Sequence, residues 1–467
     1  MSIKSLFSAR DMTLGSPWKR IAEFAFPMLL GNFAQQLYNT ADSVIVGIYV
    51  GDNALASVGS AMPILNLLLA LFVGISTGAG IVISQHFGAR DREGLSTAIG
   101  NCISLTALAT LLIMIVGPLI TRPFLELLGT PDSIIDWCTD YLKIYFYGIV
   151  GFFFYNMLSG ILRGLGDSFT ALMFLLVSAA LNVVLDLLFV AKFSMGVPGV
   201  ALATVIAQAI SAVLCYWKLM SMRDLFDLSL KTMRLIPAMA KRILKIGIPS
   251  GITQAIMATA GMVVQSLTNS MGETVIACNV IVMRVDGFAM LPNMTFGQAM
   301  SVYTGQNVGA GKLDRVHKGV KQGSIMALAV SATITGILLV FGRYLFDIFT
   351  DTQELIDLAV RMMRVLAVGY ICISVTQVLG GVMRGAGDTV TPMWISIVST
   401  IFLRVPTAYI MAALTKNDAY PNGQPISIFT SLLVSWTLGM VISIIVFRIG
   451  KWKKKMLASA AEHGHTI

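Results

Sequence analysis

The stretch "RGLGDS" (Arg163–Ser168) returns as "RGAGDT" (Arg384–Thr389), 221 residues further on. Around it, residues 158–170 match 379–391 at seven of thirteen positions. The match extends outward at the same offset: "QHFGA" from Gln85 meets "QNVGA" from Gln306, and Gly148 meets Gly369. Pro27 meets Pro249 at an offset of 222, so one residue was gained or lost near the start of a copy. A self-match over so much of a chain marks an internal duplication, and each copy is one structural unit.

What each copy builds follows from composition. Of 467 residues, 56% are hydrophobic and only 12% charged, against about 25% charged in soluble domains. Apolar runs of about 20 residues recur, each long enough to cross a bilayer core. The sequence predicts an all-α polytopic membrane protein with twelve spans. They lie near 21–46, 55–83, 95–117, 133–158, 169–191, 197–220, 243–270, 275–303, 320–345, 354–381, 390–413 and 423–448. Six spans per copy return the chain to its starting face, so the two lobes are parallel repeats. Transporters built this way expose a midplane site alternately to each side. The expected organisation is an N-terminal segment 1–20, an N-lobe 21–220, a linker 221–242, a C-lobe 243–449 and a basic tail 450–467.

The net charge of +9 reports topology. Most of the 33 Lys and Arg residues fall in the N-terminal segment, the linker, the 312–321 loop and Lys451–Lys455, all on one side of the twelve-span arrangement. That excess predicts a multi-pass protein of the cell membrane (the inner membrane in a two-membrane cell) with both termini in the cytoplasm. It gives no reason to expect nucleic acid. The first twenty residues hold Lys4, Arg10, Lys19 and Arg20 without a long apolar core, which argues against a cleaved signal peptide. Five scattered cysteines without CxxC spacing read as apolar packing residues.

The RGxGD turns are expected to connect the fourth and fifth spans of each lobe. Their glycines allow tight backbone geometry, and Asp167 and Asp388 are placed to cap the next helix. Without a preceding strand, such a turn is no P-loop. His86 and His317 are expected to be solvated in loops, His463 and His465 lie in the tail, and no nucleophile–base pair is visible. An enzyme is therefore not expected, nor any cofactor.

Ionisable side chains within spans are costly and mark function. In the N-lobe, Asp42 closes a polar stripe of Asn32, Gln35, Gln36 and Asn39 at helical spacing. Asn182 and Asp186, four apart, share a face of the fifth span. Carboxylates and amide carbonyls suit a hard cation, and the same acids can take protons. The C-lobe lacks these acids: Leu403 stands opposite Asn182, Arg404 opposite Val183 and Thr407 opposite Asp186. It carries Arg284 and Asp286 in the eighth span and Arg404 in the eleventh instead. Asp286 and Arg404 are expected to pair across helices, as a structural ion pair or as part of a substrate-binding wall. The polar stripe and these three C-lobe charges are the candidate substrate cavity.

With these features the sequence resembles the multidrug and toxic compound extrusion (MATE) transporters. The resemblance covers essentially the whole chain and rests on the two six-span lobes, both RGxGD turns, the QxxGA turns, "NTADSVIVG" in the first span and "NVVLD" in the fifth. It implies export of cationic or amphipathic compounds against inward movement of sodium or protons. Members with an N-lobe cation site use an aspartate of the first span, an Asn and an Asp of the fifth and a threonine of the sixth. These map onto Asp42, Asn182, Asp186 and Thr204 ("VALATVIAQ"). Members that use an acid in the seventh span are not matched, since that span holds none before Glu273. The expected partners are small amphipathic molecules and the lipid bilayer, with the chain taken as a monomer. The competing expectations are a flippase of lipid-linked precursors or oligosaccharides, which would favour an Arg-rich cavity, and a channel or scaffold, for which no filter-like segment appears.

Overall fold

The computed structural model describes residues 9–49, 52–127, 130, 132–229, 232–347, 349–418 and 420–462; within these, the side chains of 38–48, 52–64, 67 and 133 lie outside the description. The described backbone is almost entirely helical. In chain order the helices are α1 (Pro17–Tyr49), α2 (Asp52–Gly88), α3 (Arg92–Leu127), α4 (Asp132–Tyr147), α5 (Ile149–Gly164), α6 (Ser168–Asp186) and α7 (Gly196–Met220). The second half gives α8 (Pro237–Ser270), α9 (Glu273–Gly309), α10 (Leu313–Asp347), α11 (Gln353–Gly385), α12 (Val390–Ile397), α13 (Val405–Leu414), α14 (Ile426–Ile449) and α15 (Lys451–Glu462). A π-helical turn over Leu187–Lys192 extends α6, and a second over Val398–Arg404 joins α12 to α13.

Among the described residues ten helical stretches are long and apolar enough to cross a membrane, and α4 with α5, bent by 51°, makes an eleventh. Helix α1, at 33 residues, has the length to supply the twelfth. Large apolar side chains such as Leu111, Leu112, Ile115 and Leu119 of α3 remain exposed, as a lipid-facing surface requires.

The chain forms two compact units. One holds Met1–Asp11 with Phe26–Gly251, the other Met12–Ala25 with Ile252–Ile467. The division therefore does not fall in the 221–242 linker. It falls inside α1 and α8, two residues from Pro27 and from Pro249, where proline removes a helical hydrogen bond. The start of α8 belongs to the first unit because small residues let it approach α2. A Cβ on Gly74 would stand 2.1 Å from the Gly251 nitrogen, and one on Gly78 2.5 Å from the Gly247 Cα. Both glycine pairs are four apart, the spacing that lets membrane helices pack backbone to backbone. The linker itself lies on this unit: Phe226 is buried in its core, the Ile236 amide donates to Asn101 Oδ1 at 2.7 Å, and Arg92 pairs with Asp227 at 2.8 Å.

The duplication is repeated in one close helix–helix contact of each unit. In the first unit α5 meets α2 where a Cβ on Gly160 would strike Ser76 and one on Gly164 would strike the Gly80 carbonyl. In the second, α11 meets α9 where Gly381 faces the Gly297 carbonyl and Gly385 the Ser301 carbonyl.

The RGxGD turns also match. Gly166 and Gly387 take φ of +85° and +86°, a region that favours glycine. Asp167 caps α6, accepting from the Thr170 amide at 3.0 Å and its hydroxyl at 2.6 Å. Asp388 does the same for Thr391, at 3.3 and 2.6 Å. Burial pushes the Asp167 carboxyl above its ordinary range, and the Thr170 bonds oppose that shift. Within the basic tail, Lys451–Glu462 is helical. In α15, Trp452 and Met456 are buried while Lys451, Lys453 and Lys454 are exposed.

Candidate functional site

The fifth span ends its α-helical part at Asp186, directly before the π-helical turn. Asn182 and Asp186 lie one turn apart, and each is 0% exposed. Thr204 comes to them from α7, across the short connection after the π turn. With the Asn182 amide oriented to satisfy both its ends, its nitrogen donates to Asp186 Oδ2 at 2.8 Å. Its oxygen then accepts from the Thr204 amide at 3.1 Å and from the Thr204 hydroxyl at 3.3 Å. The hydroxyl has a second acceptor in the Val200 carbonyl, at 3.1 Å. The neighbouring Gly148, at the bend between α4 and α5, makes room for α7: a Cβ there would stand 2.2 Å from Val205 Cγ1.

Three of the four residues expected to hold the coupling ion are thus brought together inside one unit. A carboxylate, an amide carbonyl and a hydroxyl are hard oxygen donors, fit for a sodium ion or, at the carboxylate, a proton. The side chains of Asp42 and Asn39 lie outside the described residues. Asn32, Gln35 and Gln36 are half-buried on α1.

The second unit builds a different polar centre. Asp286 of α9 does not meet Arg404 within 4 Å. Its Oδ1 accepts from the Tyr370 hydroxyl of α11 at 2.8 Å, while Arg404 acts on its charge from further away. Tyr370 is itself held: its carbonyl accepts from Ser331 at 3.2 Å and from Asn293 at 3.4 Å, and its ring packs on Trp436 at 5.7 Å. The expected Asp286–Arg404 pair is therefore replaced by Asp286–Tyr370. Arg284, two residues from Asp286, is exposed and stands on another side of α9, as helical geometry requires. Tyr370 escaped the sequence reading, although a tyrosine hydroxyl in mid-span needs a partner.

His86 is also corrected. It is buried, with Nδ1 2.9 Å from Asp91 Oδ2, because Gly94 at the start of α3 leaves room for its ring. His317 is exposed as expected, although on the first turns of α10 and not in a loop, and all five cysteines are buried and unbridged. The QxxGA turns hold neighbouring chain in each unit. Gln85 accepts from Arg242 at 2.9 Å, and Gln306 accepts from the Met12 amide at 2.8 Å.

Comparison with known proteins agrees with this architecture. The chain is 30% identical, over 96% of its length and 99% of the other's, to the probable multidrug resistance protein YpnP of Bacillus subtilis. It is 28% identical, over 95% and 96%, to the probable multidrug resistance protein YoeA of the same organism. Its fold superposes with a TM-score of 0.88 on the outward-facing conformation of a multidrug resistance MATE family transporter of the MOP superfamily, at 23% identity, covering 96% of this chain and 99% of that one. The sequence model of the MatE family matches twice, over residues 27–188 and again over 249–410, each match beginning at one of the two paired prolines. Matched in both copies, and across nearly its whole length to a relative, the chain belongs to the MATE family of multi-span membrane transporters.

Proposed function

We propose that this protein exports amphipathic, mainly cationic organic compounds in exchange for inward-moving sodium or protons. The observation that carries the reading is the Asn182–Asp186–Thr204 cluster, a carboxylate with two neutral oxygen donors buried in mid-helix. Its relatives named as multidrug resistance proteins support the substrate class. The protein acts as a monomer in the cell membrane, with both termini in the cytoplasm, as the one-sided Lys and Arg distribution favours.

In this mechanism Asp186, together with Asp42, takes the coupling ion as transported cargo. Asn182 and Thr204 supply further oxygens when the cargo is sodium, or orient the carboxyl when it is a proton. Ion and substrate each favour one of two conformations, and exchange follows from that difference in affinity. Pro27 gives α1 a weak point at which a bend responds to the charge on Asp42. The polar stripe Asn32, Gln35, Gln36 and Asn39 of α1 and the charges of α9 and the eleventh span contact the substrate.

The test uses purified protein in liposomes under an imposed sodium or proton gradient, with ethidium as the fluorescent cation. Wild type is expected to accumulate ethidium under one gradient, and Asp42→Asn and Asp186→Asn to lose that dependence. Both variants transporting like wild type would remove the coupling role from this lobe. Wild type moving no ethidium under either gradient would reject the export reading.

A further inference from the structure

Arg404 is the last residue of the π-helical turn Val398–Arg404, in the middle of the eleventh span. Its Nε is buried and has no hydrogen-bond acceptor. Asp286 lies close enough to act on its charge, yet the carboxylate is directed to the Tyr370 hydroxyl at 2.8 Å. A guanidinium in a membrane interior with an unmet donor is costly. The duplicated fold does not require it, since the matching residue of the first copy is Val183. Isolated π turns inside longer helices are frequent at functional sites, because they rotate side chains out of the α-helical register. Cost without a structural return marks a group kept for binding.

We infer that Arg404, with Asp286 and Tyr370, forms a headgroup site in the second unit for amphipaths that carry an anionic oxygen as well as a cation. The inference rests on the export reading and narrows its substrate class. The planar guanidinium fork matches a carboxylate or phosphate oxygen pair. Asp286 offers the opposite charge to a basic nitrogen of the same molecule. The Tyr370 hydroxyl, fixed by the contacts of its backbone and ring, keeps the carboxylate turned from Arg404, so the two charges do not cancel each other before a ligand arrives. A purely cationic compound uses Asp286 alone.

The test is a pair of dyes that differ only at the acid. Rhodamine 110 carries a carboxylate and a cationic xanthene; rhodamine 123 is its methyl ester. Binding to the purified full-length protein is read by fluorescence anisotropy in neutral-lipid nanodiscs. Wild type is expected to bind rhodamine 110 at least as well as rhodamine 123. Arg404→Gln is expected to weaken rhodamine 110 by about tenfold, the loss of one charge-assisted contact, with rhodamine 123 unchanged. Arg404→Lys should recover part of the loss, and Asp286→Asn should weaken both dyes. An Arg404→Gln variant that weakens both dyes equally, or neither, overturns the inference while leaving export of cations standing. Wild type that binds neither dye overturns both. Repeating the titration with phosphatidylglycerol in the nanodisc separates a carried acid from a lipid phosphate. Competition by that lipid in wild type but not in Arg404→Gln would assign the guanidinium to lipid and reject the substrate reading.

Discussion

Lys455 Nζ lies 2.6 Å from Asp388 Oδ1, a carboxylate only 1% exposed that also caps the helix after the second RGxGD turn. The tail helix α15 thereby reaches into the same motif that, in the first copy, is covered differently. There the Arg10 amide donates to the Leu165 carbonyl at 3.2 Å, and Gly166 is pressed against the Arg10 backbone. The duplicated turn is constant, and what covers it has diverged.

Removing Lys455 leaves the buried Asp388 carboxylate facing no counter-charge, while removing Asp388 costs the ion pair and weakens the cap it gives Thr391. Lys455→Met is expected to lower stability by about 1–2 kcal/mol, reduced from the fully buried case because the lysine is half-exposed. Asp388→Asn alone should cost a similar amount, and the double variant less than the sum. Thermal unfolding midpoints of the four proteins in one detergent decide this. Strict additivity would mean that the two residues do not interact.

Glycines of the packed helices separate into two kinds. Gly74 meets the Gly251 backbone where a Cβ would need to stand, whereas nothing lies within 4 Å of a Cβ on Gly261 in the same α8 helix. Gly74→Ala is expected to destabilise by about 1–3 kcal/mol through overpacking. Gly261→Ala should be neutral or stabilise by up to about 1 kcal/mol, by helix propensity alone. The same unfolding assay compares them, and a Gly261→Ala loss as large as that of Gly74→Ala would contradict the packing account.

The spans and the duplication were legible because hydropathy and repetition survive in a linear string. Asn182 and Asp186 were legible because helical spacing alone puts them on one face. Thr204 carried no signal of its own and came only through family resemblance, since its role depends on how α7 returns beside α6. Tyr370 was missed for a similar reason: its partner Asp286 is on another helix, and an arginine was the more obvious mate for an acid. The π turns are invisible to a pattern search with a period of 3.6. Likewise the docking of the start of α8 on the first unit depends on backbone approach at Gly247 and Gly251, which composition does not reveal. The tail looked like a run of lysines because its buried side consists of so few residues, Trp452, Met456 and Ala460 among them.

Those few residues make a further expectation. Trp452 is 1% exposed, stacks on Phe447 at 4.6 Å and donates from Nε1 to the Phe447 carbonyl at 2.9 Å. Trp452→Ala removes the anchor of a twelve-residue helix, a change of about 3–5 kcal/mol in a well-packed core. A short helix cannot hold its fold on propensity, so α15 should undock and unfold, opening the backbone at the already exposed Lys451, Lys453, Lys454 and Lys455 to trypsin. Limited proteolysis followed by mass spectrometry of the C-terminal fragment reads this. A tail cleaved no faster than in wild type would show that α15 is held by other contacts.

Thr204 gives the sharpest test of the proposed coupling site, because size and donor chemistry can be varied apart. Its hydroxyl is an oxygen beside the Asn182 amide, at 3.3 Å, and its backbone nitrogen holds that amide in place. Thr204→Val keeps the shape and the backbone bond but deletes the oxygen; Thr204→Ser keeps the oxygen and deletes a methyl. If the hydroxyl is a sodium donor, Thr204→Val should weaken the apparent sodium affinity by roughly tenfold, as expected for a lost contact to a charge. Thr204→Ser should stay within about threefold of wild type, since deleting a methyl group removes no polar contact. If the cargo is a proton, the hydroxyl only orients the amide, and both variants should keep proton-driven transport within that threefold range. Ethidium accumulation against graded sodium, repeated against graded proton gradients, separates the cases. Equal loss in Thr204→Val and Thr204→Ser under both gradients would trace the effect to packing between α6 and α7 and remove Thr204 from the site.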